Sequence, residues 1–182
     1  MYTDKIERAV ELAAICHRNQ YRKNPKRKIP YISHPIAVGL MLIKYGYPEE
    51  VVTAGILHDV VEDTALSLNE LEEEFGIEVA SLVEEVSELD KSLSWERRKN
   101  RYFERLKGAS REAKAISCCD KIHNMRSIIR SVEEGGNIWK KLKRGKEAQL
   151  DKFRQLLIIY EESLNSAMVE AYKSVLKRLK MV

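Results

Sequence analysis

With 182 residues, of which 33% are charged and 44% hydrophobic, the chain has the size and balance of one globular domain with a real core. Its formal net charge of +4 is spread over interleaved basic and acidic residues, which excludes a dedicated nucleic-acid binder; 8 glycines and 4 prolines are too few for an all-β protein of tight turns. Cys16, Cys118 and Cys119 are no disulfide framework and read as buried apolar residues in a reducing, cytoplasmic setting. No apolar run approaches a membrane span, and Met1-Tyr2-Thr3-Asp4 does not begin a signal peptide.

Taken in order, Asp4 to about His17 reads as a helix, with Ile6, Val10, Ala13 and Ala14 at helical spacing and Asp4 and Glu7 as a capping pair. A basic loop follows over residues 18–30. Ser33 is expected to cap the next helix, which carries Pro35 in its first turn and stops at Gly46. Pro48 opens a third helix, expected to run unbroken to about Thr64. Ser67 and Glu70 form a capping box for a short helix ending at Gly76, and another helix covers Val79 to about Leu89. Ser94 and Ser110 start two more, one ending at Gly108 and one running through Ile129 to a stop at Gly135-Gly136. Residues 139–179 read as one or two amphipathic helices, with Leu150, Phe153, Leu157, Leu164, Met168 and Leu176 inward. No strand-like alternation or repeat appears, so the fold class is all-α in one domain, residues 1–182.

The third helix is anomalous. Val51, Val52, Ala54, Ile56, Leu57, Val60 and Val61 make it apolar nearly all round, the pattern of a buried helix. Yet His58, Asp59, Glu62 and Asp63 fall within two turns of it. Helical spacing puts His58 and Glu62 on one face and Asp59 and Asp63 on the next, so all four line one cavity. A charged rim in water is the plainer alternative. Three carboxylates on so apolar a helix weigh against it, because buried they require a compensating cation.

Two more places supply ligand chemistry. His34 stands at a helix start in Tyr31-Ile32-Ser33-His34-Pro35. Asp120, His123, Asn124 and Ser127 form a polar stripe beside the apolar face of Cys118, Ile122, Met125 and Ile129. Outward stripes elsewhere are dominated by Lys and Glu, so this one reads as a pocket wall. His34, His58, Asp59 and Asp120 together offer two imidazoles and two carboxylates. That mixture suits one Mn²⁺ ion, with Fe²⁺ or Zn²⁺ behind it. His17 and His123 read as core or supporting histidines.

These motifs resemble the HD superfamily of metal-dependent phosphohydrolases, and more closely the (p)ppGpp-hydrolase domain of the RelA/SpoT homologues. The residues that carry the resemblance are Tyr31 to Pro35, Leu57 to Thr64 with its Glu62-Asp63-Thr64 extension, Asp120 to Asn124, Arg22-Lys23 and Phe75 to Ala80. It covers roughly residues 5–130, beyond which the C-terminal helices are expected to pack on this motif core. Departures are Lys121, where the large enzymes usually have Arg, and Cys118-Cys119, where Leu-Ala is common.

The resemblance implies an HD-domain fold, a stand-alone small alarmone hydrolase, and hydrolysis of the 3′-pyrophosphate of ppGpp or pppGpp to GDP or GTP. A divalent ion would supply an activated water and Lewis acidity. Glu62, one turn beyond His58, is placed to orient or deprotonate that water, with Asp63 assisting. Arg22, Lys23 and Lys121 are the expected phosphate cations, with Lys91, Arg97 and Arg98 behind them. The run from Trp95 to Lys99 otherwise reads as a solvated face. Asn124 and Ser127 are placed to hydrogen-bond the nucleotide. Two other readings compete: an HD-type NADPH phosphatase or dNMP nucleotidase, and a non-catalytic nucleotide sensor, which the intact Glu62-Asp63 pair argues against. The expected partner is a small nucleotide, with neither nucleic acid nor membrane; a homodimer is compatible with all of this.

Overall fold

Residues Val51 to Leu57 are all buried, and the fold is arranged around them. They belong to α3 (Glu49–Leu57), which packs against α1 (Asp4–Cys16), α2 (Ser33–Lys44), α6 (Ile77–Val86) and α8 (Arg111–Glu133) in the computed structural model. The structure describes residues 3–88, 90 and 92–182. Leu89, the expected end of one helix, and Lys91, one of the expected cations, lie outside the described residues. The contact of α2 with α3 depends on two glycines. A Cβ on Gly39 would sit 2.6 Å from Ile56 Cγ1, and one on Gly55 would run into Leu42. Backbone-close packing of this kind holds α2 tightly against α3, with His34 at the start of one and His58 at the end of the other.

The expected third helix is not continuous. It breaks at His58-Asp59, and Glu62 and Asp63 stand on a separate turn, α4 (Val60–Asp63). At the break the His58 ring turns back and donates through Nδ1 at 2.8 Å to the Gly55 carbonyl, the acceptor an unbroken helix would offer to the Asp59 N–H. Asp59 adopts φ −101° and ψ −8°, the bridge region between helix and turn.

Two expected caps also move. Thr3 rather than Asp4 caps α1, its hydroxyl accepting from the Ile6 N–H. Ser33 is the first residue inside α2, because its hydroxyl turns back to donate to the Pro30 carbonyl. The Ser67–Glu70 capping box forms at α5 (Leu68–Phe75), and Ser94 and Ser110 cap α7 (Trp95–Gly108) and α8. Gly76 at φ 88° turns the chain between α5 and α6. The α8 helix runs one turn past Ile129. After a 3₁₀ turn (Ile138–Lys141), the C-terminal region forms two helices, α9 (Gly145–Glu161) and α10 (Ser166–Lys180), both packed on α8. One apolar core runs from Ile6 to Leu179, with Leu150, Phe153, Met168 and Leu176 buried in it and Leu157 and Leu164 against its edge. Among the described residues there is no strand. A single antiparallel bridge, Tyr21 to Pro30, ties down the basic loop.

Candidate metal and active site

Three elements bring His34, His58 and Asp120 together: the start of α2, the end of α3 and the middle of α8. One ligand atom from each lies within 4.8 Å of the others, and all three residues are buried. His34 Nε2 is 3.2 Å from Asp120 Oδ1 and 3.5 Å from Asp59 Oδ2. His58 Nε2 is 3.1 Å from Asp59 Oδ2. The Asp59 carboxylate stands at the edge of the cluster, where the Tyr31 hydroxyl donates to Oδ2 at 2.6 Å.

The donor chemistry of this cluster fits a divalent cation. A carbonyl can only accept, so the bond from His58 Nδ1 to Gly55 puts the proton on Nδ1 and frees Nε2 for a ligand. That Nε2 is buried without a hydrogen-bond partner, its approach to Asp59 being too poorly aligned to count. Behind His34, its Nδ1 lies 2.8 Å from His123 Nδ1. One of the two carries the shared proton; if it is His34, its Nε2 is likewise free. His123 is thus a supporting histidine, as its place on the polar stripe suggests. Burial lowers the His58 pKa, but Asp59 and Asp120 outweigh it and push it up to about 9. Asp120 resists its own burial and stays well below the usual carboxylate range, held there by Lys121, His34 and His58. Burial lowers the His34 pKa against the pull of Asp120, which favours the neutral imidazole that a metal ligand must be.

Beside the cluster lies a strongly polar cavity of about 270 Å³. His58, Asp59, Glu62 and Asp63 all line it, even though the helix expected to align them is broken. Glu62 is half-buried, and its Oε2 accepts the Glu88 N–H at 2.9 Å. Burial raises its pKa to about 7; the Glu88 N–H opposes the shift, and Asp59, Glu88 and Asp63 reinforce it. A carboxylate poised there is suited to proton transfer near neutrality. Asp63 is more exposed, and its backbone carbonyl accepts from Gln20 at 2.8 Å.

A second cavity, of about 370 Å³, adjoins the first and is more apolar, with Trp95, Ile138 and Phe153 in its walls. Arg22, Lys23, Asn124 and Ser127 line it, so four of the five expected substrate contacts face this space. Arg22 donates to Asn124 Oδ1 and stacks 5.3 Å from the Tyr31 ring. Asn124 in turn donates to Asp120, linking the two cavities. Lys121 differs from expectation. Its ammonium is paired with Asp120 and lies 5.1 Å from the Tyr102 ring, so its first role is to neutralise a candidate ligand, not to present an open charge.

The run from Trp95 to Lys99 is not simply a solvated face. Arg98 and Lys99 are only 17% and 19% exposed, pair with Glu88 and line the larger cavity, whereas Arg97 faces solvent. The reason is packing: α7 turns Trp95, Arg98 and Lys99 inward together, as i, i+3 and i+4 spacing requires. Glu88, Tyr31 and Lys152 are further wall residues that sequence reasoning passed over. Lys152 had a signal. With Gln149, Phe153 and Leu156 it sits at inward-facing spacing on α9, where a lysine is out of place.

An all-helical fold that gathers a first histidine, a His-Asp pair and a distant aspartate defines a class. A family model described as HD domain matches residues 9–146, and the chain belongs to that family. Within it, the chain is 41% identical over 128 residues to the guanosine-3′,5′-bis(diphosphate) 3′-pyrophosphohydrolase MESH1 of Danio rerio, covering 69% of this chain and 70% of the relative. It is 41% identical over 129 residues to the MESH1 of Homo sapiens, covering 70% and 71%. A solved structure described as a metazoan orthologue of SpoT that hydrolyzes ppGpp matches with TM-score 0.86 at 28% identity, over 100% of this chain and 99% of that one.

Proposed function

We propose that this chain hydrolyses the 3′-pyrophosphate of ppGpp and pppGpp, giving GDP or GTP and pyrophosphate, with one divalent metal ion. The observation that carries the reading is the buried convergence of His34, His58 and Asp120 beside a cavity lined by Glu62. The relatives named above as acting on guanosine-3′,5′-bis(diphosphate) support the substrate.

His34, His58, Asp59 and Asp120 would hold the ion. Mn²⁺ is the proposed metal, since half of its protein ligands would be hard carboxylates. When bound, the ion supplies Lewis acidity and a water of lowered pKa. The chain supplies the rest. The polar cavity takes the pyrophosphate and the more apolar one the nucleoside, with Asn124 and Ser127 against the nucleotide. Arg22 and Lys23 offer positive charge to a highly anionic substrate, and Lys121 holds Asp120 ionised. Glu62, with Asp63 at the same cavity, receives the proton of the attacking water. A cytoplasmic setting belongs to the same proposal, supported by three free thiols.

The test is turnover of a panel (ppGpp, NADPH and several dNMPs) by metal-reconstituted protein. Metal-dependent release of pyrophosphate from ppGpp, faster than release of phosphate from NADPH or any dNMP, is the expected result. A reversed order would transfer the chain to an NADPH phosphatase or nucleotidase reading.

A further inference from the structure

Hydrolysis at the 3′-phosphorus needs an acid as well as a base. The leaving group is the 3′-oxygen of a ribose, an alkoxide too basic to depart unprotonated at neutral pH, and it must lie where the pyrophosphate and nucleoside cavities meet. Among the described residues, Lys23, Tyr31, Asp63, Lys99, Asn124 and Lys152 line both cavities. Five of the six are unsuited to the task. The Tyr31 hydroxyl already donates its hydrogen bond to Asp59, and burial and that carboxylate raise its pKa. Lys99 is paired with Glu88. Asp63 is a carboxylate, Asn124 is an amide, and Lys23 is an exposed loop residue.

Lys152 is different. Its ammonium donates to a neutral oxygen, Gln149 Oε1, at 2.8 Å and lies 4.5 Å from the Phe153 ring. We propose that Lys152, on the C-terminal helix α9, is the general acid that protonates the departing 3′-oxygen. This rests on the (p)ppGpp reading above. The step forms a bond from the water oxygen to the 3′-phosphorus and breaks the P–O3′ bond. The water's proton goes to Glu62. O3′ leaves with the electron pair of its bond and takes the Nζ proton, so the products are GDP, pyrophosphate and a neutral amine. Solvent then reprotonates Lys152 and deprotonates Glu62.

The surroundings of Lys152 suit this role. Lys121 and Asp120 from α8, Lys99 from α7 and Glu88 from the loop before α7 line the same polar cavity as Lys152. Burial, Lys121 and Lys99 together bring its pKa down to about 7, opposed by Asp120 and Glu88. An acid that titrates there is still about half protonated at neutral pH and releases its proton readily.

The experiment compares Lys152→Met and Lys152→Arg with the wild type, all metal-loaded, on ppGpp and on bis(p-nitrophenyl) phosphate, whose leaving group needs no proton. Methionine replaces a half-buried ammonium with an apolar chain of similar length, a change the fold should tolerate. Arginine keeps the charge but does not release its proton. Both variants should lose about 10²-fold in kcat on ppGpp, the lower end for a positioned acid. Both should keep near-normal turnover of the nitrophenyl ester, and Lys152→Arg should keep its KM for ppGpp. The fall of wild-type ppGpp kcat at alkaline pH should disappear in both. Equal losses on the two substrates would overturn the proposal in favour of binding or packing, and full kcat in Lys152→Arg would reduce the role to charge. A wild type that fails on ppGpp while cleaving the nitrophenyl ester would instead overturn the substrate reading, and this step with it.

Discussion

The two walls of the polar cavity are built in opposite ways. One wall, from α2, α3, α4 and α8, is mainly histidine and carboxylate, with Lys121 paired to Asp120, and His34, His58 and Asp120 in it are 1%, 4% and 5% exposed. The other, from α7 and α9, is cationic and half-buried, with Lys99 and Lys152 its charges. The first is held by backbone-close packing at Gly39 and Gly55 and by hydrogen bonds that set each imidazole. The second presents long flexible side chains, Lys99 paired with Glu88 and Lys152 with the Gln149 side-chain oxygen. A metal centre needs its donors fixed to fractions of an ångström, whereas a phosphate-binding wall needs charge at roughly the right distance. The difference in construction follows the difference in task.

Removing a ligand from the rigid wall should have the largest effect. Asp120→Ala takes away a carboxylate ligand and the partner of Lys121 at once. Its metal content should fall to background, and ppGpp turnover by more than about 10⁴-fold, beyond the usual worth of one acid–base group. Elemental analysis beside the assay checks this. Full metal occupancy in the variant would take Asp120 out of the set and blur the contrast between the walls.

A smaller loss is expected from Glu62→Gln, which keeps size and hydrogen bonding but removes the base. Metal content and substrate affinity should hold while kcat falls by about 10²–10⁴-fold, and Asp63→Asn should lose as much or less. Glu62 acts only when deprotonated, so kcat/KM should rise with pH as its proton is lost. In the metal-free chain that occurs at about 7. The charge of a bound ion favours the carboxylate and moves the midpoint lower. Profiles of kcat/KM against pH should show this acid limb in the wild type and lose it in Glu62→Gln. Near-normal kcat in the metal-loaded variant would mean that the rigid wall needs no base.

The smallest effects belong to the mouth of the nucleoside cavity. Arg22→Ala and Lys23→Ala should mainly raise KM, by about a few-fold to tenfold each for partly exposed charges, and the effect should shrink in high salt. Arg22 should matter more, because it also holds Asn124 and stacks on Tyr31. Michaelis curves at low and high ionic strength give the answer. An unchanged KM in the double variant would make this loop an ordinary solvated surface.

The all-helical class, most helix boundaries and the three donors the fold gathers, His34, His58 and Asp120, could be read from the sequence alone. A helix that is apolar nearly all round is a buried one, and His58, Asp59, Glu62 and Asp63 on such a helix demand a partner of opposite charge. That is local information, carried by residue types at short spacing. The break at His58-Asp59 was not legible, because the spacing of apolar residues through Val60 and Val61 continues as if the helix did. At the break the His58 ring donates to the Gly55 carbonyl, a contact that this spacing does not announce. Nor could sequence pair His34 with His123, turn Lys121 onto Asp120, or bring Lys99 and Lys152 to one cavity from positions more than 50 residues apart. A lysine reads as solvated surface until the helices around it are packed. Whether its charge faces water or a substrate is decided by those neighbours, and they come together only in the tertiary structure.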